Sequence, residues 1–231
     1  MGRTQGTRKV REDFDRMADL SEGDGWDHNA HYHPFLLNQL PERLTEAVEV
    51  GCGTGAFARS LAERCGRVLA VDLSPRMVDV ARSRSRGCPN VEYAVADANS
   101  WGFPEERFDC VASITTVHHL ALAPTLRKMG GALRPGGTLL VLDLFRARSA
   151  ADYIVGAAGF PAGKVIRLAK TGTLSAGGSP ELRRTWEEHG ETDAYPTLAE
   201  VREACKEELP GAKVRRHLLW RYSVVWRKPA R

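Results

Sequence analysis

EVGCGTG, residues 49–55, closes a short apolar run (AVEV, 47–50) and opens a segment of helical spacing (FARSLAERC, 57–65). Its glycines, Gly51, Gly53 and Gly55, let the backbone turn sharply and lie close against a ligand. The rhythm continues outward. RVLAVDL (67–73), PRMVDVARSRS (75–85) and VEYAVAD (91–97) read as strand, helix, strand, and FDCVASI (108–114), TLRKMGGAL (125–133) and TLLVLDLF (138–145) read likewise. Strands alternating with helices predict an α/β fold, a doubly wound parallel sheet whose ligands bind at the carboxyl ends of its strands.

Upstream, residues 10–20 and 31–40 carry apolar side chains at helical spacing, separated by the glycine-rich SEGDGWD (21–27). Downstream of 145 the rhythm breaks. ADYIVGAAGF (151–160) predicts a helix, with KVIRLAK (164–170) beyond Pro161, then a flexible TGTLSAGGSP (171–180), the polar helix ELRRTWEEHG (181–190) and a helix over 197–208. AKVRRHLLW (212–220) and RYSVVWR (221–227) read as two β segments, a terminal antiparallel hairpin.

Composition bounds the function. A chain of 231 residues with 42% apolar content buries one sizeable core. Its net charge of +4 gathers at the two ends, which is too mild for a nucleic-acid binder. Five cysteines, with no CxxC pair, fit reduced thiols in a cytoplasmic setting. The N-terminus lacks the apolar region of a secretory signal, and no run is long enough to cross a bilayer, so a soluble protein with no membrane partner is expected.

Two carboxylates sharpen the glycine loop. Asp72 ends the second strand about twenty residues after the loop, where a carboxylate can accept ribose hydroxyls, although it could instead assist the cap of the next helix. Asp97 ends the third strand, where a carboxylate can accept from an adenine amino group; a turn role competes. No Gly-Lys-Ser/Thr follows the loop, which excludes a nucleoside triphosphate site of that type. Gly51-x-Gly53-x-x-Ala56 with Asp72 also fits a dinucleotide site, which would make the chain an NAD-binding oxidoreductase. Against that, a second mononucleotide half is missing after the fifth strand.

EVGCGTG, VDLSPRMVDVAR (71–82), DANSWGFPEERFDCVASITTVHHL (97–120) and LRPGGTLLVLD (133–143) together resemble the class I S-adenosylmethionine-dependent methyltransferases of the UbiE-like, type 11 kind, over residues 45–145. The resemblance implies a Rossmann-like seven-stranded sheet with an antiparallel C-terminal hairpin. It also implies S-adenosylmethionine as cofactor, with S-adenosylhomocysteine as product. It places Gly51, Gly53 and Gly55 around the methionyl part, Glu49 toward the amino group, Asp72 on ribose and Asp97 with Ala98 on adenine. Cys52, Leu73, Met77 and Thr115 join this cofactor set, Cys52 as loop filling without a basic partner to make it a nucleophile. Residues 1–44 become a helical lid, 45–145 the cofactor-binding core, 146–195 a helical cap over the acceptor or a homodimer contact, and 196–231 the completion of the sheet.

The acceptor is less defined. SITTVHHL (113–120) lacks the Asn/Asp-Pro-Pro-Tyr or Pro-Cys strings of nucleic-acid methyltransferases, so a small molecule is expected, with RNA or protein as the alternative. Only the basic hairpin, with Arg215, Arg216, Arg221 and Arg227, favours RNA, and such charges also guard an edge strand. His28, His31, Tyr32 and His33 beside Trp26 suit an aromatic or heterocyclic acceptor and a proton-accepting imidazole, or they simply pack beneath the second helix. His118 and His119 follow the fourth strand and are the other catalytic candidates. The spacing of His28, His31 and His33 permits two metal ligands on one face, but no further ligand accompanies them and no metal is expected.

Overall fold

The computed structural model describes residues 2–21, 23, 26–174, 179–191 and 193–230, with residues 2–5 described by their backbone alone. Glu22, Asp24 and Gly25 of the predicted glycine-rich link, and 175–178 of the predicted flexible stretch, lie outside them. In chain order the elements are α1 (Gly2–Asp19), a 3-10 turn (Ala30–Tyr32), α2 (His33–Leu37), β1 (Leu44–Val50), α3 (Ala56–Ala62), β2 (Cys65–Asp72), α4 (Pro75–Arg84) and β3 (Val91–Val95). There follow β4 (Phe108–Ile114), a 3-10 turn (Val117–His119), α5 (Leu122–Ala132), β5 (Leu133–Leu144), α6 (Ala150–Thr171), α7 (Pro180–Gly190), α8 (Leu198–Glu208), β6 (Lys213–Arg216) and β7 (Arg221–Arg227).

The sheet order is β3-β2-β1-β4-β5-β7-β6. The first five strands pair in parallel, while β7 runs antiparallel to both β5 and β6. This is the seven-stranded, doubly wound sheet the alternation predicts. Successive strand residues face opposite sides, so the sheet sorts its apolar residues into two layers. Val48, Val50, Val111, Leu139 and Val141 pack with Leu126 and Met129 of α5 and Leu198 and Val201 of α8. Ala47, Val68, Ala70, Ala112 and Leu140 pack on the other side with Leu36 of α2, Phe57 and Leu61 of α3, and Val78 of α4. No helix among the described residues is long and apolar enough to cross a membrane.

α6 departs from the reading of a helix interrupted at Pro161: it runs unbroken from 150 to 171 with that proline inside. A proline costs the helix one internal hydrogen bond. Here the helix is held elsewhere, by a capping box of Ser149 with Asp152 and by a glycine face laid on the turn between β6 and β7. A Cβ on Gly156 would lie 3.2 Å from Trp220 Nε1, and one on Gly159 would lie 3.3 Å from the Leu219 amide. The turn beneath is itself tight, with Leu219 and Trp220 at φ of 59° and 57°. The outer face of α6 is apolar and exposed at Tyr153, Ile154, Phe160 and Val165.

Candidate active site

The strand order reverses between β1 and β4, which opens a crevice at their carboxyl ends. The chain leaves β1 through Gly51, Gly53 and Gly55, all left-handed, with φ of 74°, 50° and 81°. Two are required by packing. A Cβ on Gly51 would fall 2.6 Å from the Thr116 Cβ, and one on Gly55 would fall 3.0 Å from Tyr93 Cε1. Gly53 differs, because a Cβ there would meet nothing within 4 Å. Its bare face is turned to open space, the cradle that a close-lying ligand needs.

Asp72 holds this loop. Its Oδ2 accepts the Gly53 amide at 2.8 Å and its Oδ1 the Ser74 amide at 2.9 Å. Burial raises its pKa while those amides oppose the rise. The helix cap proper belongs to Ser74, whose Oγ accepts from the Met77 amide. Asp72 therefore shapes the turn and the loop together, and its two oxygens, with about four lone-pair sites against the amides of Gly53, Leu73 and Ser74, keep acceptor capacity for a hydroxyl.

Glu49 is 1% exposed, and its Oε2 has no hydrogen-bond partner among the described residues. Burial, and after it the Asp72 charge, pushes its pKa well up. A buried acid with an orphaned oxygen is costly unless a donor or cation completes it. A cradle without side chains and an uncompleted carboxyl at its edge fit an amino-acid-bearing nucleoside.

Leu73 is half-buried; Met77 packs its side chain on Met17 and Ala18 of α1. Cys52 is buried, and burial drives its thiol pKa far up, so it is not a thiolate. Asp97 behaves as a turn residue through one oxygen, Oδ1 accepting from the Asn99 amide at 2.9 Å and from Asn99 Nδ2 at 3.1 Å, while Oδ2 stands outside those bonds. Ala98 beside it is buried. Thr115, at a φ of 53° directly after β4, donates to Asn29 Oδ1 at 2.8 Å.

The N-terminal candidates do not form one cluster. The His28 ring sits between Trp26 (5.9 Å) and Trp220 (6.2 Å), and burial, then the charges of Arg221 and Arg167, lowers its pKa. His31 lies edge-on to Tyr32, and His33 edge-on to Phe57 at 4.9 Å. Both have pKa values lowered chiefly by burial. The Tyr32 hydroxyl donates to the Leu218 carbonyl at 2.8 Å, and burial pushes its pKa up to about 12, so it is no base.

His118 and His119 are brought together with residues that sequence reasoning missed. Asp143 Oδ1 lies 2.6 Å from His118 Nδ1, and Asp193 Oδ2 lies 3.6 Å from His118 Nε2. Burial alone would lower the His118 pKa, but Asp143 and Asp193 override it and raise it to about 9. His119, lowered by burial and by neighbouring His118 to about 4, stays neutral. Asp143 had a visible signal, an acid near the end of an apolar strand; Asp193 and His189 had none.

One reading is corrected outright. Arg221 does not belong to an exposed basic hairpin face: it is 8% exposed, donates through Nε to Asn29 Oδ1 at 2.8 Å and through Nη1 to the Leu219 carbonyl at 3.0 Å. Its strand is β7, inside the sheet between β5 and β6, which is why it is covered.

A doubly wound sheet with a glycine cradle at its switch point and two acids beside it defines a nucleoside-cofactor enzyme. Residues 48–141 match the family model described as a methyltransferase domain. An uncharacterized methyltransferase of Mycobacterium tuberculosis is 31% identical over 208 residues, which cover 88% of this chain and 98% of the relative. Two solved structures share the fold at low identity. The N-methyltransferase NodS of Bradyrhizobium japonicum, in complex with S-adenosylhomocysteine, aligns with a TM-score of 0.57 at 18% identity, covering 95% of this chain and 98% of NodS. A chain from the complex of the Haloferax volcanii Trm112 methyltransferase activator with a methyltransferase aligns with a TM-score of 0.66 at 20% identity, covering 96% and 98%. The chain belongs to the class I S-adenosylmethionine-dependent methyltransferases.

Proposed function

We propose that this enzyme methylates a small-molecule acceptor, aromatic or heterocyclic, held at the carboxyl edge of the sheet beneath residues 26–33 and α6. The observation that carries this is the position of Asn29. Its side-chain oxygen accepts from Thr115 Oγ1 at the end of β4 and from buried Arg221, each at 2.8 Å. That bridge ties the aromatic and imidazole segment to the mouth of the crevice, where methyl transfer takes place. In this reading residues 1–44 act as lid, 45–145 as cofactor core, 146–195 as acceptor cap, and 196–231 complete the sheet.

S-adenosylmethionine, when bound, supplies the electrophilic methyl group. Gly51, Gly53 and Gly55 would give its methionyl part a close backbone approach, and Glu49, whose Oε2 has no partner among the described residues, would hold its amino group. Asp72 would use its remaining acceptor capacity on the ribose, Asp97 Oδ2 and the Ala98 amide would take the adenine edge, and Leu73 and Thr115 would wall the site, while Met77, turned into the core against α1, would reach it by its backbone alone. Transfer is then a matter of alignment and of excluding water.

Where the acceptor must lose a proton, His28 is the base this geometry favours. It is neutral near pH 7, because its pKa is lowered, and it lies between the two tryptophans under α6. His118 is a poor base, since two carboxylates hold it as the imidazolium. Little remains to favour RNA: Arg221 is buried and Arg216 is paired with Asp152 at 2.6 Å. Incubation with methyl-labelled S-adenosylmethionine and a panel of aromatic and heterocyclic small molecules, beside bulk RNA and protein, tests the reading. Label in the small molecules supports it; label confined to a macromolecule refutes it.

A further inference from the structure

Three imidazoles and one carboxylate converge away from the glycine loop. His118 and His119 come from the turn after β4, with ring centroids 3.9 Å apart. His189 comes from the last turn of α7, and Asp193 from the link between α7 and α8. We propose that His118, His119, His189 and Asp193 form a closed binding site for one divalent transition-metal ion of the zinc type.

The orientation of the rings carries the argument. His118 Nδ1 is engaged by Asp143 Oδ1 at 2.6 Å, and the same Asp143, fully buried, also accepts the His118 amide at 2.9 Å. His189 Nδ1 is engaged by Asp13 Oδ2 at 3.0 Å. In both residues a carboxylate fixes Nδ1 and turns Nε2 inward, and both Nε2 atoms lie 3.6 Å from one atom, Asp193 Oδ2. A carboxylate behind a ligating histidine is the usual outer support of a metal site. His119 adds Nδ1 at 3.4 Å from Asp193 Oδ1, and its buried Nε2 has no hydrogen-bond partner among the described residues.

The spacing is informative. Separations of 3.4–3.6 Å exceed good hydrogen bonds, yet they approach the edge of a tetrahedron with arms of about 2.0–2.1 Å, which is about 3.3–3.4 Å. One ligand atom each from His118, His119 and Asp193 lies within 4.8 Å of the others; His189 stands outside that group, reaches it through Asp193 Oδ2 at 3.6 Å, and would swing in as the fourth ligand. Three nitrogens and one oxygen suit zinc, cobalt or nickel; magnesium and calcium prefer sites built of oxygen. The surroundings are closed: the side chains of the four residues are 2–10% exposed, and Phe14 lies edge-on to His119 and His189 at 5.8 and 5.0 Å. The Tyr195 hydroxyl donates to Asp193 Oδ2 at 2.9 Å, supporting that ligand from outside.

With His189 joining His118, His119 and Asp193, four protein ligands would make a structural site with no open position for chemistry. Its effect is a clip: the ion joins the end of β4 to the α7–α8 link and, through Asp13, to α1. The metal-free protein would instead keep a proton on His118 between its two carboxylates.

The test is to strip the protein of 231 residues with chelator and titrate zinc and cobalt, following stoichiometry, melting temperature and the visible bands of tetrahedral cobalt. The site predicts one tight equivalent, a raised melting temperature and tetrahedral cobalt bands. His119→Ala and Asp193→Asn should each weaken binding at least tenfold while S-adenosylhomocysteine binding reports that they fold, and Asp143→Asn should weaken it about 10–100-fold through the lost support. Absence of stoichiometric binding to the unaltered protein overturns the proposal, whatever the variants do. So does binding that persists unchanged in folded His119→Ala and Asp193→Asn.

Discussion

Asn29 Oδ1 accepts a 2.8 Å hydrogen bond from Arg221 Nε, across 192 residues of chain. The same oxygen takes the Thr115 hydroxyl, so one short side chain joins the N-terminal segment, β4 and β7. Asn29→Ala leaves a buried guanidinium, already disfavoured by burial, with one acceptor fewer. The expected cost is about 1–3 kcal/mol, a fall of several degrees in melting temperature, together with a raised KM for the acceptor. A variant with unaltered melting temperature and KM would show that the bridge carries no weight.

The glycine loop offers a contrast within three residues. Gly51→Ala sets a methyl group against Thr116 at a left-handed φ and should lower the melting temperature whether or not ligand is present. Gly53→Val projects into open space, so the protein should stay folded, less stable by roughly 1–2 kcal/mol for the left-handed backbone, and lose S-adenosylhomocysteine binding. Circular dichroism melts paired with calorimetry separate the two effects. Intact affinity in Gly53→Val would remove the loop from the cofactor's site.

The parts of this molecule that a sequence reveals are those encoded locally. Gly51 to Gly55, Asp72 and the strand–helix alternation depend on neighbours, so spacing alone located them. Asn29 with Arg221 and Asp13 with His189 are joined only by the fold, across 192 and 176 residues, and no local pattern marks such pairs. Arg221 misled for a related reason: its charge read as surface until the strand order put β7 inside the sheet. Pro161 misled because local propensity yields to tertiary packing, here the glycine face of α6 on Leu219 and Trp220.

Asp152 links α6 to the sheet, accepting the Ser149 amide at 2.8 Å and pairing with Arg216 at 2.6 Å. Burial opposes its charge, but the Ser149 and Arg148 amides and Arg216 outweigh it and hold the pKa below its ordinary 3.8. A depressed pKa means that its stabilising effect is complete above that ordinary value and is lost as the pH falls through the folded-state value. Asp152→Asn should therefore melt lower than the wild type at neutral pH, and the two curves should converge in strong acid. A gap that stayed constant down to acid would contradict the ionic role.

His28, if it is the base, sets the acid limb of the pH–rate profile. Its lowered pKa places the midpoint of that limb below the ordinary 6.5, with activity rising as the imidazole loses its proton. His28→Ala should remove the limb and reduce turnover about 10²–10⁴-fold, with S-adenosylhomocysteine affinity unchanged. Near-normal turnover would leave proximity and desolvation to do the work on an acceptor that is already nucleophilic.

The central claim is that the cofactor binds at the glycine loop with Asp72 as its ribose acceptor. Calorimetric titration of S-adenosylhomocysteine into the wild type and Asp72→Ala tests it most directly. The loss of charge-assisted bonds to the ribose should cost about 1.5–3 kcal/mol, more than a tenfold weakening. A folded Asp72→Ala protein that binds S-adenosylhomocysteine as tightly as the wild type would contradict the account.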